Sequence, residues 1–464
     1  MAKIRMERTP HSLITDGVME HEQTLAAQKP FWVMFVANIG VATWLMGVLI
    51  AGMGFNFTDA MFVLLLGGII GSALPAVMAI LGPLTRLSQM EMGRFSLGKM
   101  GKKLPAFLNW FGTIGWDVVN NLLSAAAFIA LFAGFGVSMP LWLALAVLVV
   151  TQMMVSIYGH HLIQDTSKYT GILLGLFFLV IGVIAIHETR GVPLAVKVTS
   201  VKDIFLALVL LIAYVATGWA TYTADYTRYL PKDTPSSTVF FDVFAALFLS
   251  FFVLAFFGYM TASAVTEQTP EGVMKALQGL TGNFAPLVLF LVAFGAIPVN
   301  AVNDNSAAYC LISSGFKFTR PTSAIFGALL GYIVCLFASS SFVDVFENFL
   351  FFFAHWIAPW AAILLVHWFT LGKKERRAPS GITLGCVILV VVSAASIWLF
   401  SANSLYTGLL SDWVGGVDIG PYIGFVVAGL VYYVSLRVHP PQCRDGKISK
   451  RAAELLSLRR AASN

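Results

Sequence analysis

Charge is scarce in this chain: Asp, Glu, Lys and Arg make up 11% of its 464 residues, against 58% hydrophobic residues. A water-soluble fold of this length needs polar helix faces, and those are missing, so a large soluble core is excluded. Cysteine is scarce as well. Cys310, Cys335 and Cys386 lie within or beside apolar stretches and Cys443 lies near the end, which does not make a disulfide framework. No Ser/Gly-rich linker or acidic run divides the sequence. Metal-ligand sets and nucleophile–base pairs are missing too. His160 and His161 flank a loop, while His355 and His367 share one apolar stretch with no Asp or Cys at ligand spacing. We therefore expect neither an enzyme nor a bound metal or cofactor. Nor does the start resemble a cleavable signal peptide. The first 30 residues are polar, and the run from Phe31 is too long for a signal h-region, so that run is expected to act as the insertion signal.

What the chain has instead is hydrocarbon-compatible sequence. Apolar runs of about 18 to 25 residues, each long enough to cross a bilayer, fall near 31–54, 60–82, 105–133, 139–157, 169–187, 204–224, 238–262, 284–312, 322–340, 348–371, 381–401 and 420–437. The expectation is an all-α integral membrane protein of about twelve transmembrane helices. Its segments are a cytoplasmic N-terminal stretch (1–30), a transport core of ten helices (31–371), two further helices (372–437) and a basic cytoplasmic tail (438–464). With both termini inside, all 29 Lys and Arg fall on the cytoplasmic side except Arg190, Lys197, Lys202 and Lys275. That asymmetry obeys the positive-inside rule and agrees with an even number of spans in the cell membrane. The net charge of +6 is thus topological and argues for no nucleic-acid partner. The basic tail is expected to lie against anionic lipid headgroups.

Polar residues inside such spans are costly and mark function. Three spans hold them. In the third, Thr113, Trp116, Asp117, Asn120, Asn121 and Ser124 recur at helical spacing and form one stripe. An aromatic plate, a carboxylate and two amides turned inward suit a flat, polar ligand. In the eighth, Pro298 is followed by Asn300, Asn303, Asp304 and Asn305, too many groups for helix packing alone. The first span carries Asn38, Gly40, Thr43, Gly47, Gly52 and Gly54, and the sixth carries Ala216-Thr217-Gly218-Trp219-Ala220-Thr221 at its middle. Breaks in the first and sixth helices are what an inverted repeat of five plus five requires.

At these residues the chain resembles the nucleobase:cation symporter-1 family, in its purine–cytosine permease branch. The resemblance is carried by Gly115-Trp116 with Asn120, by Gln89-Met90 through Arg94-Phe95-Ser96-Leu97-Gly98, and by Gly218-Trp219 through Ala224-Asp225-Tyr226-Thr227-Arg228-Tyr229. It continues in Asn303-Asp304-Asn305 with Tyr309, and in Phe349 through His355-Trp356-Ile357-Ala358-Pro359-Trp360. The matches keep their order from about residue 35 to 370. The resemblance implies a LeuT-type fold with discontinuous helices one and six, and secondary active import of a nucleobase such as cytosine or a purine. It further implies that Trp116 and Trp219 sandwich the ring while Asn120 and Asn303 read its edges. Stacking on aromatic faces and bidentate amide contacts are the chemistry a nucleobase offers. Thr113 and Thr43 complete the candidate substrate set.

The coupling ion is expected to be a proton, with sodium as the alternative. Asp117, Asp304 and Asn38 are the candidate coupling residues, since a buried carboxyl can take up and release a proton within a cycle. Asp117 departs from the family pattern. Asp225, with Arg228 at i+3, reads as a structural ion pair or gate element. Sodium in related transporters sits between helices one and eight on oxygen ligands, and Ile297-Pro298-Val299 supplies no side-chain oxygen. Backbone carbonyls freed near Pro298 and at Asn38–Val41 leave sodium open. Other planar rings (allantoin, hydantoin, uracil or a vitamin-like heterocycle) fit the same residues. An amino-acid transporter fits less well, because the first span lacks a tight Gly-x-Gly run.

Overall fold

The computed structural model describes residues 17–158, 160–192, 194, 196–371 and 378–438. The basic tail and the first 16 residues lie outside them, so their expected roles are not addressed by the fold. Among the described residues nine helices are long and apolar enough to cross a membrane, a bent pair forms one more span, and two shorter apolar helices fill the remaining places. In chain order the spans are Lys29–Asn38 with Val41–Gly52, Phe57–Ala79, Lys103–Ala133, Leu141–Tyr158, His160–Glu188, Val201–Trp219 with Thr223–Thr227, Ser236–Met260, Ala285–Ser313, Arg320–Ala338, Phe342–Leu371, Leu384–Phe400 and Gly420–Val438. They match the twelve expected runs one for one. Helices satisfy their own backbone, which hydrocarbon demands.

The first span bends by 54° at Ile39 and Gly40. The freed carbonyl of Asn38 is taken by the Thr43 hydroxyl at 2.7 Å, and that hydroxyl also meets Tyr214 Oη at 2.8 Å. The sixth span breaks later than its sequence suggests. Helix continues through Ala216-Thr217-Gly218 to Trp219 and stops at Ala220–Tyr222, leaving one turn, Thr223–Thr227. Thr217 bonds back to the carbonyl of Ala213 at 2.6 Å, so this threonine supports the helix that it was expected to interrupt. The eighth span also differs from expectation: it is continuous through Pro298.

The third and eighth spans pack along their length, as do the tenth and twelfth. His355 of the tenth span meets Ser396 of the eleventh at 2.6 Å and Asp418, just before the twelfth, at 3.0 Å, which ties the last two spans to the core. An amphipathic helix, Pro270–Thr281, precedes the eighth span and was not anticipated. The described cysteines Cys310, Cys335 and Cys386 are free and buried.

Close backbone contact fixes the second half of span one against span seven. A Cβ at Gly47 would stand 1.8 Å from the carbonyl oxygen of Ala255, and one at Gly258 would stand 1.9 Å from that of Trp44. Small residues at such crossings let helices approach closely. Gly47→Ala is therefore expected to cost about 1–3 kcal/mol by overpacking. The control Gly279→Ala, whose Cβ meets nothing within 4 Å, should be neutral or mildly stabilising. Thermal unfolding of the two variants in detergent checks this, and equal midpoints would contradict it.

Candidate substrate site

Two broken helices meeting two polar ones leave a narrow cavity, and its lining includes Asn38, Trp116, Asn120, Tyr214, Trp219 and Asn303. Five of these six were expected from sequence. Trp116 and Trp219 are only 8% and 4% exposed, so neither faces lipid as the tryptophans of a headgroup belt do. Trp116 is held by edge-on contacts to Tyr214, Phe349 and Phe346 at 5.4, 5.6 and 6.0 Å between centroids. Gly115 makes this possible, because a Cβ there would lie 2.3 Å from the Phe349 ring. Gly218 keeps one side of the indole clear, with a Cβ position 3.3 Å from it. Trp219 tilts against Tyr222 at 5.3 Å and donates from Nε1 to Asn38 Oδ1 at 3.1 Å.

Behind the cavity the amides run into carboxylates. Asn120 Nδ2 donates to Asn300 Oδ1 at 2.8 Å. Asn300 Nδ2 reaches Asn121 Oδ1 at 3.1 Å and Gln152 Oε1 at 2.9 Å. Gln152 Nε2 and Ser156 Oγ in turn bond Asp304 Oδ2 at 3.0 and 2.5 Å. On the other side Asn303 Nδ2 donates to Asp117 Oδ1 at 3.1 Å, and its Oδ1 accepts from Tyr222 Oη at 3.3 Å. Asp117 and Asp304 come within hydrogen-bonding reach of each other. Neither lines the cavity; Asp117 stands one side chain behind it, through Asn303, and Asp304 is reached from Asn120 through Asn300 and Gln152.

Two expected substrate residues are placed elsewhere. Thr113 is fully buried and bonds the carbonyl of Trp110, one turn back on its own helix, at 2.7 Å. Its hydroxyl is spent on the backbone. Thr43 faces an adjoining cavity, shared with Asn38, Asn120, Ser124 and Tyr214 at the break in span one. Gln152, Ser156, Tyr214 and Tyr222 were not expected at all. Gln152 and Ser156 carry the signal that was used elsewhere, since they are polar, one helical turn apart, in an otherwise apolar span.

The motif stretches at the two ends of the site also find each other. Asp225 Oδ1 accepts from the backbone N–H of Gln89 at 2.8 Å, and Gln89 Oε1 accepts from the N–H of Ala224 at 3.0 Å. Asp225 thus caps the short helix Gln89–Ser96. The expected pairing with Arg228 gives way to this. The Arg228 guanidinium instead lies over the rings of Tyr309 and Tyr229, at 4.5 and 5.0 Å from their centroids, and donates to Tyr229 Oη at 3.0 Å. Stacking on aromatic faces and i,i+3 pairing are alternatives for one planar cation. Gln23 closes over this corner, with Nε2 near the carbonyls of Leu230, Pro83 and Arg228 at 2.9, 3.2 and 3.3 Å.

The arrangement can hold a flat polar ring between aromatic walls and can offer it amide groups backed by carboxylates. A family model for permeases of cytosine/purines, uracil, thiamine and allantoin matches residues 18–383. The chain belongs to that family, the nucleobase:cation symporter-1 permeases. A putative purine-cytosine permease of Bacillus subtilis is 28% identical over 432 residues, covering 89% of this chain and 92% of that one. Among solved structures, a nucleobase-cation-symport-1 family transporter, closed with bromovinylhydantoin bound, superposes with a TM-score of 0.74 at 15% identity, covering 94% of this chain and 98% of the other. A sodium-coupled sialic acid symporter superposes at 0.62 with 11% identity, covering 94% of each chain. The permease therefore has the LeuT-type architecture and is a multi-pass membrane transporter of heterocycles rather than an enzyme.

The capping pair at the motif ends yields a direct expectation. Gln89→Leu deletes the acceptor for Ala224 N–H and leaves that donor buried, which costs about 1–3 kcal/mol. Thermal unfolding of the purified permease should show the loss. An unchanged midpoint would mean the two motifs are not held together by this side chain.

Proposed function

We propose that this permease imports a nucleobase, cytosine or a purine, across the cell membrane in symport with a proton. The observation that carries the reading is the cavity at the two helix breaks, walled by Trp116 and Trp219 and edged by Asn38, Asn120 and Asn303. The two indoles stack the ring, each base–aromatic contact being worth about 1–3 kcal/mol. Asn120 and Asn303 bond its edge. Both termini lie in the cytoplasm, residues 31–371 form the transport core, 372–437 add two helices, and the tail from 438 rests near anionic headgroups. The name of the Bacillus relative, a putative purine-cytosine permease, supports this choice of substrate.

The proton is carried by Asp117 and Asp304. Two carboxyl groups that share a hydrogen bond hold one proton between them, because two charged carboxylates repel at such range. Asn303 touches both the cavity and Asp117, so substrate and proton are one side chain apart. The sodium alternative has its own support in the adjoining cavity, where Thr43 and Ser124 bring side-chain oxygens to the break in span one. Sodium is a hard cation that such oxygens suit.

Asp117→Asn is expected to abolish accumulation driven by a pH gradient in proteoliposomes while leaving exchange of labelled base measurable. Accumulation that persists unaltered would remove the proton role. A thermal-shift panel of cytosine, adenine, uracil and allantoin, with and without sodium, tests substrate and ion together, since only a ligand of the folded form stabilises it. We expect cytosine or a purine to give the largest shift and sodium to add nothing. A shift that needs sodium would overturn the proton assignment.

A further inference from the structure

The amides around the cavity are not free to choose which end they show a ligand. Asp304 anchors one side. A carboxylate oxygen accepts and an amide nitrogen only donates, so Gln152 must turn Nε2 to Asp304 Oδ2 (3.0 Å). Its Oε1 then faces span eight and takes Asn300 Nδ2 at 2.9 Å. Asn300 is left with Oδ1 toward Asn120, which must answer with Nδ2, at 2.8 Å. Among the described residues Asn120 Oδ1 has no protein donor and remains for the cavity that Asn120 lines. The same logic runs through Asp117, which takes Asn303 Nδ2 and leaves Asn303 Oδ1 with only the 3.3 Å contact from Tyr222. Asn38 is set the opposite way. The indole N–H of Trp219 can only donate, so it claims Asn38 Oδ1 and leaves Nδ2 buried without a partner.

We infer that the carboxylates and Gln152 fix the hydrogen-bond polarity of the cavity from behind. It shows acceptors at Asn120 and Asn303 and a donor at Asn38. The ligand class that complements it is a planar heterocycle that turns an exocyclic amine toward spans three and eight, and in the same pose a carbonyl or lone-pair ring nitrogen toward Asn38. Rings that present carbonyls in place of the amine meet acceptor against acceptor and are rejected. Gln152 touches no ligand; it is a positioning residue for selectivity. This inference rests on the reading of the cavity as the substrate site.

The test compares pairs differing only in amine against carbonyl: cytosine with uracil, and adenine with hypoxanthine. Affinities are read by thermal shift or competition on the purified full-length permease. Wild type should favour the amino member by about tenfold to a hundredfold, the usual cost of an unmatched buried polar group. Gln152→Met, which keeps length but neither donates to Asp304 nor accepts from Asn300, should reduce that ratio by about tenfold, because Asn300, held then only by the Asn121 amide that can turn with it, and Asn120 can turn over. A merely structural role would lower stability without moving the ratio. Should Gln152→Met not fold, Gln152→Ala and the wild-type ratios decide. Binding of the bases with no preference in wild type, or with the wild-type preference intact in Gln152→Met, overturns the inference alone. No binding of any of the four bases overturns the substrate-site reading and this inference with it.

Discussion

In hydrocarbon a polar side chain must find another polar side chain, because water does not supply the missing bond. The network joining spans three, four and eight answers that demand with Asn120, Asn300, Gln152 and Asp304 in sequence, and with Asn303 and Asp117 beside them. Its inner members are sealed, and its outer members open on the cavity. The third and eighth spans pack along their length, so the groups that hold them together also line the cavity with Asn120 and Asn303. In the proposed function, stability and recognition share one set of bonds.

Much of this was legible because bilayer sequence is read against a strong background. A carboxylate such as Asp117 among Leu, Ala and Val stands out, and helical spacing then assigns Trp116 and Asn120 to its face. Twelve spans and the breaks in the first and sixth were visible for the same reason. The position of the sixth break was not. Gly218 looks like a helix breaker but serves as clearance for the Trp116 ring, while the actual stop at Ala220–Tyr222 is set by tertiary bonds from Gln89 and Asp225. Gln89 lies more than a hundred residues away in the chain, and no local pattern announces it. Thr113 misled for a related reason: it lies on the polar stripe, yet a threonine hydroxyl can satisfy itself on the preceding turn.

The same limits explain Arg228. Its spacing from Asp225 predicts an ion pair, and a pair in water would form. In the packed corner below the sixth span two tyrosine rings are available to the guanidinium, and the carboxylate is already engaged as a helix cap. Gln23 then bridges carbonyls from the turn after span two and the turn after span six. Two of the motif stretches that carry family resemblance, at Gln89 and at Asp225, are thus tied to each other, while the third-span, sixth-span and eighth-span motifs line the cavity with Trp116, Asn120, Trp219 and Asn303.

The approach of Gly47 and Gly258 has a mechanical meaning. Two helices whose backbones touch cannot slide or roll past each other without a clash, so the second half of span one and span seven behave as one piece. Flexure within span one is left to Ile39 and Gly40, whose backbone bonds (Ile39 N–H to Val36, and Thr43 and Trp44 N–H to Gly40) each stay within one half of the span. Asn38 sits on one side of that joint and Thr43 on the other, linked by a single hydroxyl contact. A rotation there would part the contact and carry Asn38 away from Trp219, so the joint and the Asn38 amide at the cavity would move as a latch and its keeper.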